Sequence, residues 1–289
     1  MGGDMIVLEN EALSLGVAPL GAEMQYLRTT GGGDLLWHGD SAFWSGRSPV
    51  LFPIVGRAVD DTIAVGEHSA PMSQHGFARR SYFDLVEASE DMCRHRLSET
   101  AESRVVYPFA FALDVTHTIA KNTLHVSAKV TNNSATPMPF GFGFHPAFNW
   151  PLPQAESLPH FVTLASGGTP RRAALHDGLL QRDTVAGPFS NGDLEIVEEL
   201  FVDGALVFPN GADTLRYGPR NGPALEFEFN NLPDLALWRP SGAPFLCIEP
   251  WHGTASYVGD GPQIAQRPNS ITLGAGEVAE FGYSVTVRV

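Results

Sequence analysis

Cysteine is nearly absent from this 289-residue chain: there are two, Cys93 and Cys247, with neither zinc-like nor redox-like spacing. Two are too few for a disulfide scaffold, and reduced thiols point to the cytoplasm, although a single bridge between them stays open on sequence alone. Basic residues are also scarce, 18 against 32 acidic, for a formal net charge of −14. Such a surface repels a phosphate backbone and an anionic bilayer, so neither nucleic acid nor membrane is an expected partner. No apolar run approaches the roughly 20 residues that span a bilayer. The N-terminal Met-Gly-Gly-Asp-Met lacks the basic segment and apolar stretch of a secretory signal. Repeats, heptads and low-complexity tracts are missing too.

What is present is enough apolar residue for a core, 43% against 17% charged, with no disorder signature. The 30 glycines and 22 prolines are spread along the chain, which suits many strands joined by turns. Period-two alternation dominates. Phe111, Leu113, Val115 and Ile119 alternate with polar or small residues, Lys121-Asn122 offers a turn, and Leu124, Val126, Ala128 and Val130 resume the pattern, predicting a β-hairpin. Leu225, Phe227 and Phe229, and then Phe281, Tyr283, Val285, Val287 and Val289, read as further strands. The stretch from Gly187 to Gly222 is richer in turn residues and predicts a helix or long loop near Leu194 to Leu200. The expected fold is all-β, one large antiparallel β-sandwich domain over residues 1–289.

Four segments break the alternation and concentrate reactive side chains. Ser48 to Arg57 is an apolar run stiffened by Pro49, Pro53 and Gly56, ending in a guanidinium able to grip vicinal hydroxyls or an anion, or merely to close a strand. Ser73 to Arg79 packs His75, Gly76 and Phe77 between polar residues. Pro139 to Pro151 interleaves glycines with aromatics of the kind that stack on sugar rings, and sets His145 between Phe144 and Pro146, where its backbone is restricted. A plain aromatic core explains the phenylalanines but not the imidazole among them. Ala243 to Trp251 is an apolar strand holding Glu249 between Ile248 and Pro250. A carboxylate there is costly without partners, and its pKa is expected to rise if it faces a pocket.

Taken in order, Leu51-Phe52-Pro53-Ile54-Val55-Gly56-Arg57, Gln74-His75-Gly76-Phe77-Ala78-Arg79, Gly143 to Asn149 and Cys247-Ile248-Glu249-Pro250-Trp251 resemble the successive signatures of the aldose 1-epimerase family, nearest its bacterial LacX-like branch. The resemblance runs over nearly the whole chain. It implies a galactose mutarotase-like supersandwich with a cleft across one sheet, and a cofactor-free isomerase that interconverts the α and β anomers of a hexose. It further implies Glu249 as general base and His145 as general acid, with His75 and Arg57 around the ring oxygen and hydroxyls of a small sugar. Asp203 is the candidate for the family's additional acidic sugar-binding residue. Arg79, Phe148 and Trp251 complete the expected contacts, Arg79 as a holder of phosphate should the sugar be 6-phosphorylated. Free or phosphorylated sugar, and oligomeric state, stay open.

Two other readings use the same residues. A noncatalytic carbohydrate binder would stack sugars on Phe144, Phe148, Trp150 and Trp251. A metal enzyme would use His75, His145 and Glu249 as a two-histidine, one-carboxylate set, but the chain lacks the short His-x-His or helical His-x-x-x-His spacing that usually supports one, and no metal is expected. His95, His117, His125, Arg171-Arg172 and Gly31-Gly32-Gly33 read as structural or solvated.

Overall fold

The computed structural model describes residues 3–288. Nearly every regular element is a strand, and the strands pair antiparallel in two large sheets. The first holds nine strands in the order Asp193–Glu195, Phe161–Leu164, Thr214–Gly218, Ala224–Asn230, Val278–Arg288, Thr123–Asn132, Phe111–Ala120, Met92–Ser98 and Asp84–Ala88. The second runs Leu179–Val185, Arg172–His176, Leu206–Phe208, Asp234–Trp238, Phe245–His252, Phe142–Phe144 and Val50–Leu51, with Ala147–Asn149 also pairing with Phe245–His252. The two sheets share one apolar core, in which Phe142 stacks on Phe281, Phe144 packs against Tyr283 and Phe148 against Phe227. A smaller meander, Ile6–Glu9, Leu13–Val17 and Met24–Thr29, adds Leu8, Leu15, Val17 and Leu27 to the same core.

The predicted hairpin is present: Phe111–Ala120 pairs with Thr123–Asn132 around Lys121-Asn122. Leu124, Val126, Ala128 and Val130 are buried while His125, Ser127 and Lys129 are exposed, as the period of two requires. The C-terminal strand is described to Arg288, so Val289, the last residue of the predicted alternation, lies outside the described residues. The turn-rich stretch near Leu194 holds no α-helix. It forms the short strand Asp193–Glu195 and one 3-10 turn, Glu198–Phe201. The α-helix Ala101–Val106 was missed in the sequence reading, and it carries its own signal: Thr100 caps it, and Ser103 returns a hydrogen bond to the Thr100 backbone.

Candidate active site

Glu249 owes its position to the alternation of one strand. Along Phe245–His252 the even-numbered Leu246 and Ile248 belong to the core between the sheets, while Phe245, Cys247, Glu249 and Trp251 face the other way. Two short segments, Phe142–Phe144 and Ala147–Asn149, run antiparallel beside this strand, separated by His145-Pro146. Gly143 lies opposite Trp251 and Ala147 opposite Cys247. The register is therefore unchanged across the interruption, and His145 falls opposite Glu249 on the same face. Main-chain bonds hold the interruption in place: His145 N–H donates to the Pro49 carbonyl and Ile248 N–H to the Pro146 carbonyl. The two side chains meet, His145 Nε2 lying 3.1 Å from Glu249 Oε2.

A third group arrives from another part of the chain. His75 adopts a left-handed backbone with φ of 67°, followed by Gly76 at 72°. A Cβ on Gly76 would sit 2.2 Å from the Phe52 carbonyl oxygen, so only glycine lets this turn press against the Phe52 strand end. His75 is thereby placed with its ring centre 5.5 Å from that of His145. Gly56 N–H donates to His75 Nδ1 at 3.1 Å.

These groups line a cavity of about 640 Å³ with Trp44, Arg79, Arg80, Asp177, Asp203, Trp238, Trp251 and Ala255. Trp44 stacks over the His145 ring and Trp238 meets it edge-on. This apolar cover sets the electrostatics. Burial pushes the His145 imidazole down to about 3, with the Arg79 charge acting in the same direction. Burial likewise holds the Glu249 carboxyl well above the ordinary range, opposed by Arg79, and keeps His75 neutral at ordinary pH, with the charge on His145 next in effect. The Glu249 to His145 contact is close without hydrogen-bond alignment. Glu249 Oε2 and His145 Nδ1 are both buried without a hydrogen-bonding partner, so the pair carries unmet hydrogen-bonding capacity.

Of the residues expected from sequence, Glu249, His145, His75, Arg79, Asp203 and Trp251 come together on this cavity. Arg57 and Phe148 do not. The Arg57 guanidinium is bonded on two sides to Asp61, at 2.9 Å each, and donates to the Asp177 carbonyl at 3.1 Å, so three of its five N–H groups are engaged with the protein. Phe148 is fully buried against Phe227, because alternation from Ala147 turns it into the core. Phe144 points inward for the same reason, and Trp150 lies elsewhere, under the Arg239 guanidinium. Of the four aromatics proposed for stacking, only Trp251 lines this cavity. Trp44, Trp238 and Asp177 were missed. Trp238 alternates with apolar neighbours on both faces, so periodicity could not show which way it points. Asp177 is the turn residue of the Arg172–His176 and Leu179–Val185 hairpin and had only a turn signal. The three potential metal donors gathered within 4.8 Å of one another are His145, Cys247 and Glu249, with Cys247 where the sequence reading had His75.

Comparison with known proteins places the chain in a family. The family model for aldose 1-epimerase matches residues 4–286. The chromosomal LacX protein of Lactococcus lactis subsp. lactis is 28% identical over 297 residues, covering 98% of this chain and 99% of its own. Among solved structures, a galactose mutarotase-like protein from Lactobacillus casei has a TM-score of 0.89 at 28% identity, covering 99% of this chain and all of its own. A galactose mutarotase related enzyme from Lactobacillus acidophilus has a TM-score of 0.93 at 26% identity, covering 99% and 98%. The strand-built sandwich is thus of the galactose mutarotase-like kind, and the chain belongs to the aldose 1-epimerase family.

Proposed function

We propose that the protein interconverts the α and β anomers of a free hexose by acid and base catalysis on the His145 and Glu249 pair. The observation that carries this reading is the 3.1 Å contact of two buried titratable groups on the floor of a cavity roofed by tryptophans. Ring opening moves one proton from the C1 hydroxyl and delivers one to the ring oxygen, and closure on the other face reverses both. No electron changes hands, so two proton-transfer groups meet the chemical demand.

Burial shifts the two pKa values in opposite senses, and both shifts favour the same bookkeeping: one proton shared by the pair. Before a sugar enters, it rests on Glu249 beside a neutral imidazole. Sugar hydroxyls entering the site supply hydrogen bonds to a carboxylate and so favour the form in which Glu249 is ionised and His145 carries the proton. Glu249 then accepts from the C1 hydroxyl and His145 protonates the ring oxygen. His75, neutral and with Nδ1 occupied by Gly56, offers an Nε2–H to a sugar oxygen, while Trp251 and Trp44 supply apolar faces.

Around the cavity Arg79 and Arg80 are balanced by Asp177 and Asp203, and this lack of net positive charge favours an uncharged sugar over a 6-phosphate. NMR exchange spectroscopy over free and 6-phosphorylated hexoses tests both parts. Fast anomer exchange by the parent protein that Glu249→Gln abolishes, with free sugars preferred, is the expected result. Sugar binding with no acceleration would make the protein a carbohydrate binder. Zinc-restored activity after exhaustive chelation would replace the present mechanism by one built on His145, Cys247 and Glu249.

A further inference from the structure

Arg267 is buried, 7% exposed, and burial lowers its guanidinium to about 10, so it stays charged at neutral pH. A buried guanidinium normally meets a carboxylate. Here its hydrogen bonds go instead to two loops, to three main-chain carbonyls and one serine hydroxyl. Nη2 donates to the Val55 carbonyl at 2.6 Å and the Thr254 carbonyl at 3.0 Å, and Nη1 donates to Ser256 Oγ at 2.6 Å and the Arg57 carbonyl at 3.3 Å. The first loop carries Gly56 and the second Ala255, both on the wall of the sugar cavity.

One of these bonds bears on the chemistry. The Val55 carbonyl and the Gly56 N–H belong to one trans peptide plane, in which C=O and N–H point in opposite directions. Fixing the oxygen toward Arg267 aims the hydrogen at His75 Nδ1. Gly56 has φ of 68°, and a Cβ there would lie 2.7 Å from the Ala255 backbone nitrogen, so this position demands glycine. Glycine also leaves the peptide free to turn over, which makes an external clamp necessary.

We propose that Arg267 is a positioning residue for His75, acting through the Val55-Gly56 peptide to hold the imidazole in the tautomer with its proton on Nε2. Gln74 Nε2 lies 3.2 Å from His75 Nε2; two nitrogens cannot both donate, so in this tautomer the carboxamide presents its oxygen. His75 then donates its Nε2–H to the Gln74 carboxamide at the cavity wall, and a sugar oxygen entering there shares or takes over that hydrogen bond. The effect on turnover rests on the epimerase reading above; the effect on the tautomer does not.

Long-range ¹H–¹⁵N NMR of the histidine rings reads the tautomer directly, with His75→Gln to assign the signal. In the parent protein His75 is expected as a single Nε2–H form. In Arg267→Met the signal should move toward a mixture of the two tautomers, and KM for the sugar should rise about tenfold with kcat changed less, the size expected for loss of one neutral hydrogen bond. If Arg267→Met does not fold, Arg267→Lys is read by the same tautomer criterion, because one ammonium cannot span carbonyls on both loops. A folded Arg267→Met with His75 still wholly Nε2–H overturns the proposal, whatever its melting temperature. A tautomer shift in a protein without anomer exchange sustains the clamp and removes the epimerase reading instead.

Discussion

The Trp44 indole lies over the His145 imidazole with ring centres 4.9 Å apart and planes 30° from parallel. It is the lid that keeps water from this ring. Since burial is the largest cause of the lowered His145 pKa, removing the lid should undo part of the shift. In the parent protein the pair takes up a second, inhibitory proton only as pH falls toward about 3, so the rate should be level from neutrality well into the acid range. Trp44→Ala should move the acid limb of the kcat/KM profile, which reports the sugar-free protein, upward toward 6.5, the unperturbed histidine value. An acid limb already near 6.5 in the parent would contradict the assignment.

His145→Ala removes one proton-transfer group from the pair. A well-placed general acid contributes roughly 10²–10⁴-fold, so kcat for anomer exchange should fall by that order while circular dichroism stays unchanged. A folded variant within threefold of the parent rate would end the role proposed for His145.

His117 offers a stability test away from the cavity. It is 2% exposed, its Nδ1 has no hydrogen-bonding partner, and burial, aided by His95, lowers its pKa to about 3. The unfolded chain protonates this histidine near 6.5 and the folded chain only near 3. Between those values the unfolded state binds the extra proton, so stability falls as pH drops, by about 1.4 kcal/mol per pH unit for this one group, and the contribution is complete above 6.5. Urea unfolding at pH 7 and pH 5 should show His117→Leu losing about 2 kcal/mol less than the parent. Equal losses would mean that His117 is already accessible to protons in the folded state.

Arg57 and Asp61 give a separate prediction. With side chains 40% and 49% exposed, their ion pair should add little to stability, about 0–1 kcal/mol. Its effect is local: Arg57 also holds the Asp177 carbonyl, and Asp177 lines the cavity. Arg57→Ala and Asp61→Asn should therefore raise KM by similar factors, with kcat nearly unchanged. A large effect from Arg57→Ala alone would restore Arg57 to direct contact with the sugar.

The sequence made the site legible where it departed from alternation. Glu249 before Pro250 and His145 before Pro146 stood out as charged or titratable groups in apolar runs, and the structure sets them face to face. The long hairpin around Lys121-Asn122 was equally plain, because its period held over whole strands. Legibility failed where a decision belonged to a neighbour far along the chain. Arg57 ended a rigid segment as expected, but whether its donors faced a sugar or Asp61 depended on how the segment turned. Phe148 was misread although the register runs unbroken through His145-Pro146 and alternation carries it to the core side; an aromatic-rich composition suits a core and a sugar platform equally and hides that parity. Arg267 belongs to none of the four segments that the sequence singles out. Its importance comes only from the loops that close around it.

The hairpin turn bearing Asp177 and the Val202-Asp203-Gly204 stretch contribute to the wall of the cavity, while Glu249 and Trp251 stand on a strand locked between partners on either side. On the proposed reading, chemistry and selectivity are thereby divided between the sheet and the loops around it. Exchange of wall residues during descent could retune which hydroxyl pattern is admitted and leave the proton traffic beneath it untouched, so preference for a particular monosaccharide is the property most free to drift among proteins sharing this architecture.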